Sequence, residues 1–322
     1  TAWWRRAPWP EGAVILLALG VAALAARLPL AHGDAQVWHF AVGEEVLRRG
    51  RWTLNVWNNA WHYPLATEML FLPGYAFGGL EGAKAVNLFL FSAVLAAGGA
   101  LAGAVRPGAG WPAAALLAGC GAAADVSTLG KHDLGAALGV AGAAWCLARG
   151  RAPVAVALCA GLAVEAKYTA AVPALVLLAA MVRMAKPGRR GMAVLAAAAA
   201  ALPLVPWWTQ NALWLGNPVH PYASRWLGGL HWNAELERGI WRVEEALVGA
   251  QQWSARALFR NVLAFADPFF GSVLLGALLP RALAARSAGP AARAVLAVFL
   301  VSFAVFATVV PRRRYLLPLL PL

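Results

Sequence analysis

HGDAQVWHFAVGEEVLRRGRWTLNVWNNAWHYPLATE, residues His32–Glu68, follows the apolar run Ala13–Ala31 and merges at its end into a second one, Leu65–Leu80. It gathers His32, Asp34, His39, Glu44, Glu45, His62 and Glu68 with Trp38, Trp52, Trp57 and Trp61, while the flanking chain is nearly free of charge. Carboxylates and imidazoles crowded between hydrocarbon-like segments mark this stretch as the place where chemistry is expected. The plainer reading is a solvated loop whose tryptophans sit at lipid headgroups, as in the aromatic belts of membrane proteins.

The rest of the chain fits a membrane setting. Of 322 residues, 61% are hydrophobic and 13% charged, with a mean hydropathy of +0.63. A soluble domain carries roughly a quarter charged residues. Apolar runs long enough to cross a ~30 Å hydrocarbon core recur along the sequence. Chain-wide alternation of apolar and polar residues is absent, which argues against a membrane β-barrel. The expected fold is all-α: a polytopic transmembrane helical bundle of about 9–10 spans, with juxtamembrane helices on its outer face.

The formal charge of +13 suggests nucleic acid in a soluble protein. Here the basic residues fall in short clusters between apolar runs, the pattern left by the positive-inside rule, so nucleic acid is not an expected partner and anionic lipid is. Cys120, Cys146 and Cys159 lie inside apolar runs without metal-ligand spacing. Heavy use of Ala, Gly, Arg and Trp points to a GC-rich bacterial source and hence to the inner (plasma) membrane.

Taken in order, Arg5 and Arg6 precede a retained first span, Ala13–Ala31. Ala35–Arg49 can form an amphipathic surface helix with Val37, Phe40, Val42 and Val46 towards lipid. Pro64, Pro73, Gly78 and Gly79 interrupt Leu65–Leu80. If that piece stays outside, the following spans alternate: Lys84–Val105, Trp111–Ala124, Leu134–Ala148, Ala152–Val164, Thr169–Met184 and Met192–Pro206. Arg106, Arg149, Arg151 and the cluster Arg183, Lys186, Arg189 and Arg190 then all become cytoplasmic. Trp207–Ser254 forms a second outer polar segment, followed by spans Ala255–Leu279 and Ala294–Val310. The sequence stops within a further apolar run, so a C-terminal part is expected beyond it. Residues 1–322 thus read as one transmembrane domain whose outer loops, 32–68 and 207–254, form the active-site face.

On that topology Asp34, the group Asp125, Lys131, His132 and Asp133, the group Glu165, Lys167 and Tyr168, and the group Arg312, Arg313, Arg314 and Tyr315 reach one face. Ionisable residues at a membrane boundary are functional candidates because their desolvation needs a partner or a task. The plainer roles are snorkelling for Lys167 and the arginines, and an N-cap for Asp133. Consecutive arginines on the outer side break the positive-inside rule, and a lipid-borne phosphate, which arginine binds bidentately, would account for them.

These residues resemble the GT-C glycosyltransferases, in the aminoarabinose-transferase and protein-mannosyltransferase branch. The resemblance is carried by Gly33–Asp34 after the first span, HYPLATE at His62–Glu68, KHDL at Lys131–Leu134, AKYTA at Ala166–Ala170, GNPVHPY at Gly216–Tyr222 and RRYLLPLLP at Arg313–Pro321. It implies transfer of a sugar from a polyprenyl-phosphate carrier to an acceptor on the extracytoplasmic face. By the same resemblance, Asp34 is the general base and Asp133 a second acidic residue facing the acceptor or sugar. Lys167 and Arg314, helped by Arg312 or Arg313, hold the departing phosphate. His62, Glu68, Lys131 and Tyr168 complete the substrate-binding set. A divalent cation, magnesium or manganese, shared by Asp34 and Asp133 is the one cofactor this chemistry suggests. The sugar and the acceptor stay open. Two rivals are a transporter or flippase, which would place ionisable groups at mid-membrane depth on several spans, and a non-catalytic scaffold, in which Asp34 would be dispensable.

Overall fold

A computed structural model describes residues 9–29, 33, 35–55, 59–119, 127, 130–236, 238–239 and 289–309. Its described regular elements are all helical. Trp9–Ala26 (α1) opens with Pro10, whose missing N–H costs nothing in a helix's first turn. After a short π-helical segment, Ala35–His39, comes Phe40–Arg49 (α2), closed by Gly50 in the left-handed region at φ 65° with its N–H on the Leu47 carbonyl. Ala66–Val105 (α3), Gly110–Ala118 (α4), Asp133–Ala148 (α5), Pro153–Ala166 (α6), Ala171–Met184 (α7), Arg190–Ala198 (α8) and Val205–Leu215 (α9) follow. The short Ser224–Leu227 (α10) and then Pro290–Val309 (α11) complete the set.

Among the described residues, three helical stretches are long and apolar enough to cross a membrane: Trp9–Ala26, Ala66–Val105 and Pro187–Leu215. Shorter apolar helices are Asp133–Ala148, Pro153–Ala166, Tyr168–Met184 and Ala292–Ser302. The chain is an all-α, multi-pass membrane protein. Among the described residues, the buried clusters divide into three. One joins α5, α6 and α7 through Val140, Ala144, Ala160 and Leu177, with Val295 and Val298 of α11 against them. A second joins α1, α3 and α4 and takes in Phe40 from α2. A third, Val42, Trp61, Leu65 and Trp207, ties the loop before α3 to α9.

Helix α3 is two limbs. Gly78 and Gly79 leave helical geometry, Gly79 at φ 57° and ψ −146°. Residues eight apart in a continuous helix are separated by about 12 Å, yet a Cβ on Gly82 would stand 2.0 Å from the Gly74 carbonyl oxygen. The chain therefore turns sharply there. Lys84, just past the turn, donates to the Leu28 carbonyl at 3.0 Å, so the second limb starts level with the end of α1. The limb 66–77 carries α2 on its side, with Phe40 against Phe71 at 5.1 Å between centroids.

Two expectations are corrected. Phe40 and Val42 do not face lipid: both are buried in protein, while Val37 is exposed. Packing against Phe71 and Tyr75 on one side and Trp61 and Trp207 on the other provides an apolar environment that hydropathy cannot tell from lipid. The second polar segment also begins later than Trp207. The helical stretch runs on through Trp207 to Leu215 and ends at Gly216, φ 71°. The expected spans Trp111–Ala124, Ala255–Leu279 and Ala294–Val310 lie partly or wholly outside the described residues.

Candidate active site

The described polar residues converge where α3, α5 and the Tyr168–Met184 stretch begin. Gly130 sets up the approach to α5. It has φ +63°, and a Cβ there would overlap the Phe40 ring at 2.0 Å. Only a residue without a side chain lets the KHD segment pass over α2 in that conformation. Lys131, His132 and Asp133 follow, all buried. Gly135, in the first turn of α5, admits Thr67: a Cβ would stand 2.1 Å from its hydroxyl oxygen. The first turns of α3 and α5 are thereby brought together, and Glu68 and Asp133 lie in them.

Glu68 is fully buried, at 0% exposure. Its Oε1 accepts from His39 Nδ1 at 2.6 Å and from His132 Nδ1 at 3.2 Å. The two imidazoles meet edge to face at 4.7 Å, and Trp38 stacks on His39 at 4.3 Å while its edge reaches His132 at 5.0 Å. An isolated carboxylate in such a place would be prohibitively desolvated, so these donors are what allows it to be there.

Next to this group, Lys167 Nζ donates to Asp133 Oδ1, with both residues buried. Lys167 sits in extended geometry between α6 and the 3-10 turn Tyr168–Ala170, at the break that lets its side chain reach across to α5. Asp133 occupies the first turn of α5, where no side-chain cap bond forms at the His132 N-cap. Asp133 and Lys167 thus form a direct pair, in which opposite charges buried together neutralise one another.

His62 is buried and holds a loop. Its Nε2–H donates to the Asn55 carbonyl at 2.9 Å, and its own carbonyl accepts from Trp207 Nε1 at 3.0 Å and Asn211 Nδ2 at 2.9 Å. Burial lowers its pKa, and His231 lowers it further. His220 stands edge-on to His62 at 6.0 Å, and burial, with His62 and His231 nearby, depresses its pKa to about 4. Asn217 organises this second loop by donating to the carbonyls of Tyr222 and Gly228 at 2.9 and 3.0 Å. Tyr222 lies between Tyr63, 6.3 Å away, and Tyr168, 5.2 Å away, so both polar loops meet over the start of the Tyr168–Met184 stretch.

Of the candidate residues, Glu68, Lys131, Asp133 and Lys167 thus come from the converging helix starts. Tyr168 joins them through the tyrosine row, and His62 lies beneath the loops. Asp34, Arg312, Arg313 and Arg314 lie outside the described residues. Sequence reasoning placed His39 in the polar stretch 32–68 and His132 in a boundary group, but gave neither a substrate-binding or catalytic role, and it assigned no role to His220. His132 and His220 each stood inside a quoted motif, KHDL and GNPVHPY, which was the available signal.

No protein-family profile matches the chain, and no curated protein sequence matches it. Two solved structures do: ArnT from Cupriavidus metallidurans in the apo state and the same protein bound to undecaprenyl phosphate. Each has a TM-score of 0.66, at 18% and 19% identity respectively, over 97% of this chain and 57% of that one. The chain therefore spans little more than half the length of ArnT. Over that span it has the fold of ArnT, a GT-C glycosyltransferase, as the sequence motifs led one to expect.

Proposed function

We propose that the chain is the membrane domain of a glycosyltransferase that moves a sugar from a polyprenyl-phosphate carrier to an acceptor on the extracytoplasmic face of a bacterial inner membrane. One observation carries this reading: the fold match over 97% of the chain includes a structure holding undecaprenyl phosphate. Three buried carboxylates of the helices support it. Glu68, Asp133 and Glu165 lie in first or last turns rather than at mid-helix, as a boundary site requires and a transport path does not.

In this reaction an acceptor hydroxyl or amine attacks the anomeric carbon and its proton passes to the Asp34 carboxylate. The bond from that carbon to the phosphate oxygen breaks, and the electron pair leaves on the phosphate. Inversion follows from attack opposite the leaving group. Lys167, with Arg314 and its neighbours Arg312 and Arg313, receives the growing phosphate charge. Asp133 keeps the Lys167 ammonium aimed at the site and orients sugar or acceptor, while Glu68, Lys131, Tyr168 and His62 shape the pocket around them. A magnesium or manganese ion shared by Asp34 and Asp133 would compete with that ammonium for the Asp133 carboxylate.

The test is transfer from a radiolabelled polyprenyl-phosphate sugar in membranes. Asp34→Asn is expected to lower the rate by about 10²–10⁴-fold, the span for loss of a general base. Equal rates in variant and wild type would exclude Asp34 as the base.

A further inference from the structure

The grouping of His39, Glu68 and His132 has the composition and spacing of a metal centre. One ligand atom from each, an imidazole nitrogen of both histidines and a carboxylate oxygen, lies within 4.8 Å of the other two, and all three residues are buried; Nδ1 of each histidine faces Glu68 Oε1. Glu68 Oε2 is buried without a hydrogen-bond partner in the structure. A carboxylate serving only as an acceptor for two imidazoles would leave that oxygen's desolvation uncompensated. A cation beside it would compensate it.

The geometry points to a first-row transition metal site, zinc above all, formed by His39 Nδ1, His132 Nδ1 and Glu68. Two imidazoles and one carboxylate suit zinc and not magnesium or calcium, which take oxygen ligands. Tetrahedral zinc at about 2.0–2.1 Å from each donor places its ligand atoms about 3.3 Å apart. The His132–Glu68 separation of 3.2 Å already matches, and the His39–Glu68 separation of 2.6 Å must open by a fraction of an ångström. Three protein ligands leave a fourth position free for water or another oxygen. The ligands come from the segment before α2, from α3 and from the turn into α5, so the ion would fasten three separate parts of the chain. His132 is the residue before Asp133, and the metal would thereby fix the start of the helix that carries the Asp133–Lys167 pair. The inference does not depend on the sugar-transfer reading, since it is read out by metal content.

The experiment uses the full chain in detergent, purified through a tag without histidine and stripped with a chelator. Titration with cobalt(II) alone is expected to give the visible bands of a tetrahedral nitrogen–oxygen site, saturating at about one equivalent and displaced by zinc. Elemental analysis after zinc loading should find about one zinc per chain in wild type and in His231→Ala, and background in His39→Ala combined with His132→Ala. Glu68→Gln should weaken the cobalt site and shift its bands. Should the variants fail to fold, the wild-type titration decides. Absence of a saturable band there overturns the site, and so does a zinc content unchanged by removing both histidines.

Discussion

The Lys167 ammonium rests on the Asp133 carboxylate, joining the break after α6 to the first turn of α5 inside the protein. A buried pair is worth little relative to an apolar replacement, but breaking it strands a charge, at about 3–5 kcal/mol. Asp133→Ala and Lys167→Ala are each expected to lower stability by about that amount. Asp133→Asn combined with Lys167→Met should cost much less than the sum. Unfolding in detergent across this double-mutant cycle measures it, and additive costs would show that the two groups do not act as a pair.

Gly130 is expected to tolerate no side chain. Gly130→Val combines a left-handed backbone with overlap against the Phe40 ring, for a predicted loss of about 1–3 kcal/mol. Phe40→Ala in the same chain should relieve the overlap and not the backbone strain, so the rescue should be partial. Full rescue, or none, in thermal unfolding would refute that division.

Acid should weaken the two polar loops. His220 falls from an ordinary 6.5 to about 4 in the folded chain, and His62 also falls, both through burial. A histidine with a depressed folded pKa binds fewer protons folded than unfolded. Its contribution is therefore fully present above about 6.5 and is lost as pH falls towards about 4. Stability measured across that window should decline with acidity, and His220→Gln should flatten the decline. A wild-type curve that rises as pH falls would contradict the assignment.

The arginine triplet should act on the lipid donor. If Arg314 binds phosphate in the proposed reaction, Arg314→Ala removes a charge-assisted hydrogen bond worth about 1.5–3 kcal/mol. The apparent KM for the polyprenyl-phosphate sugar is expected to rise, with a smaller effect on the acceptor's. Steady-state kinetics with each substrate varied in turn would separate the two.

Much of this was legible in the sequence. Apolar runs at Ala13–Ala31 and Lys84–Val105 announce membrane helices because hydrocarbon imposes length and composition. KHDL and AKYTA drew Asp133 and Lys167 to one place because charge is costly in a membrane. Their direct pairing was not legible, since sequence carries no distance. Nor were the inward-facing Phe40 and Val42, because the same hydropathy serves lipid and core. His39 and His132 stand 93 positions apart in two separate polar segments, and nothing in the sequence joins them. Only the fold, with Gly130 and Gly135 allowing close approach, gathers them on Glu68.

The bend at Gly78–Gly79 also governs bookkeeping along the polypeptide. Counted by hydropathy, residues 66–105 could be entered as two passes. The limb before the break at Gly78 has about 12 residues, roughly 18 Å of helix, too short for a ~30 Å hydrocarbon core, so the two limbs together make one pass and not two. Every later connecting loop would exchange compartments if those two glycines were mistaken for a link between full crossings.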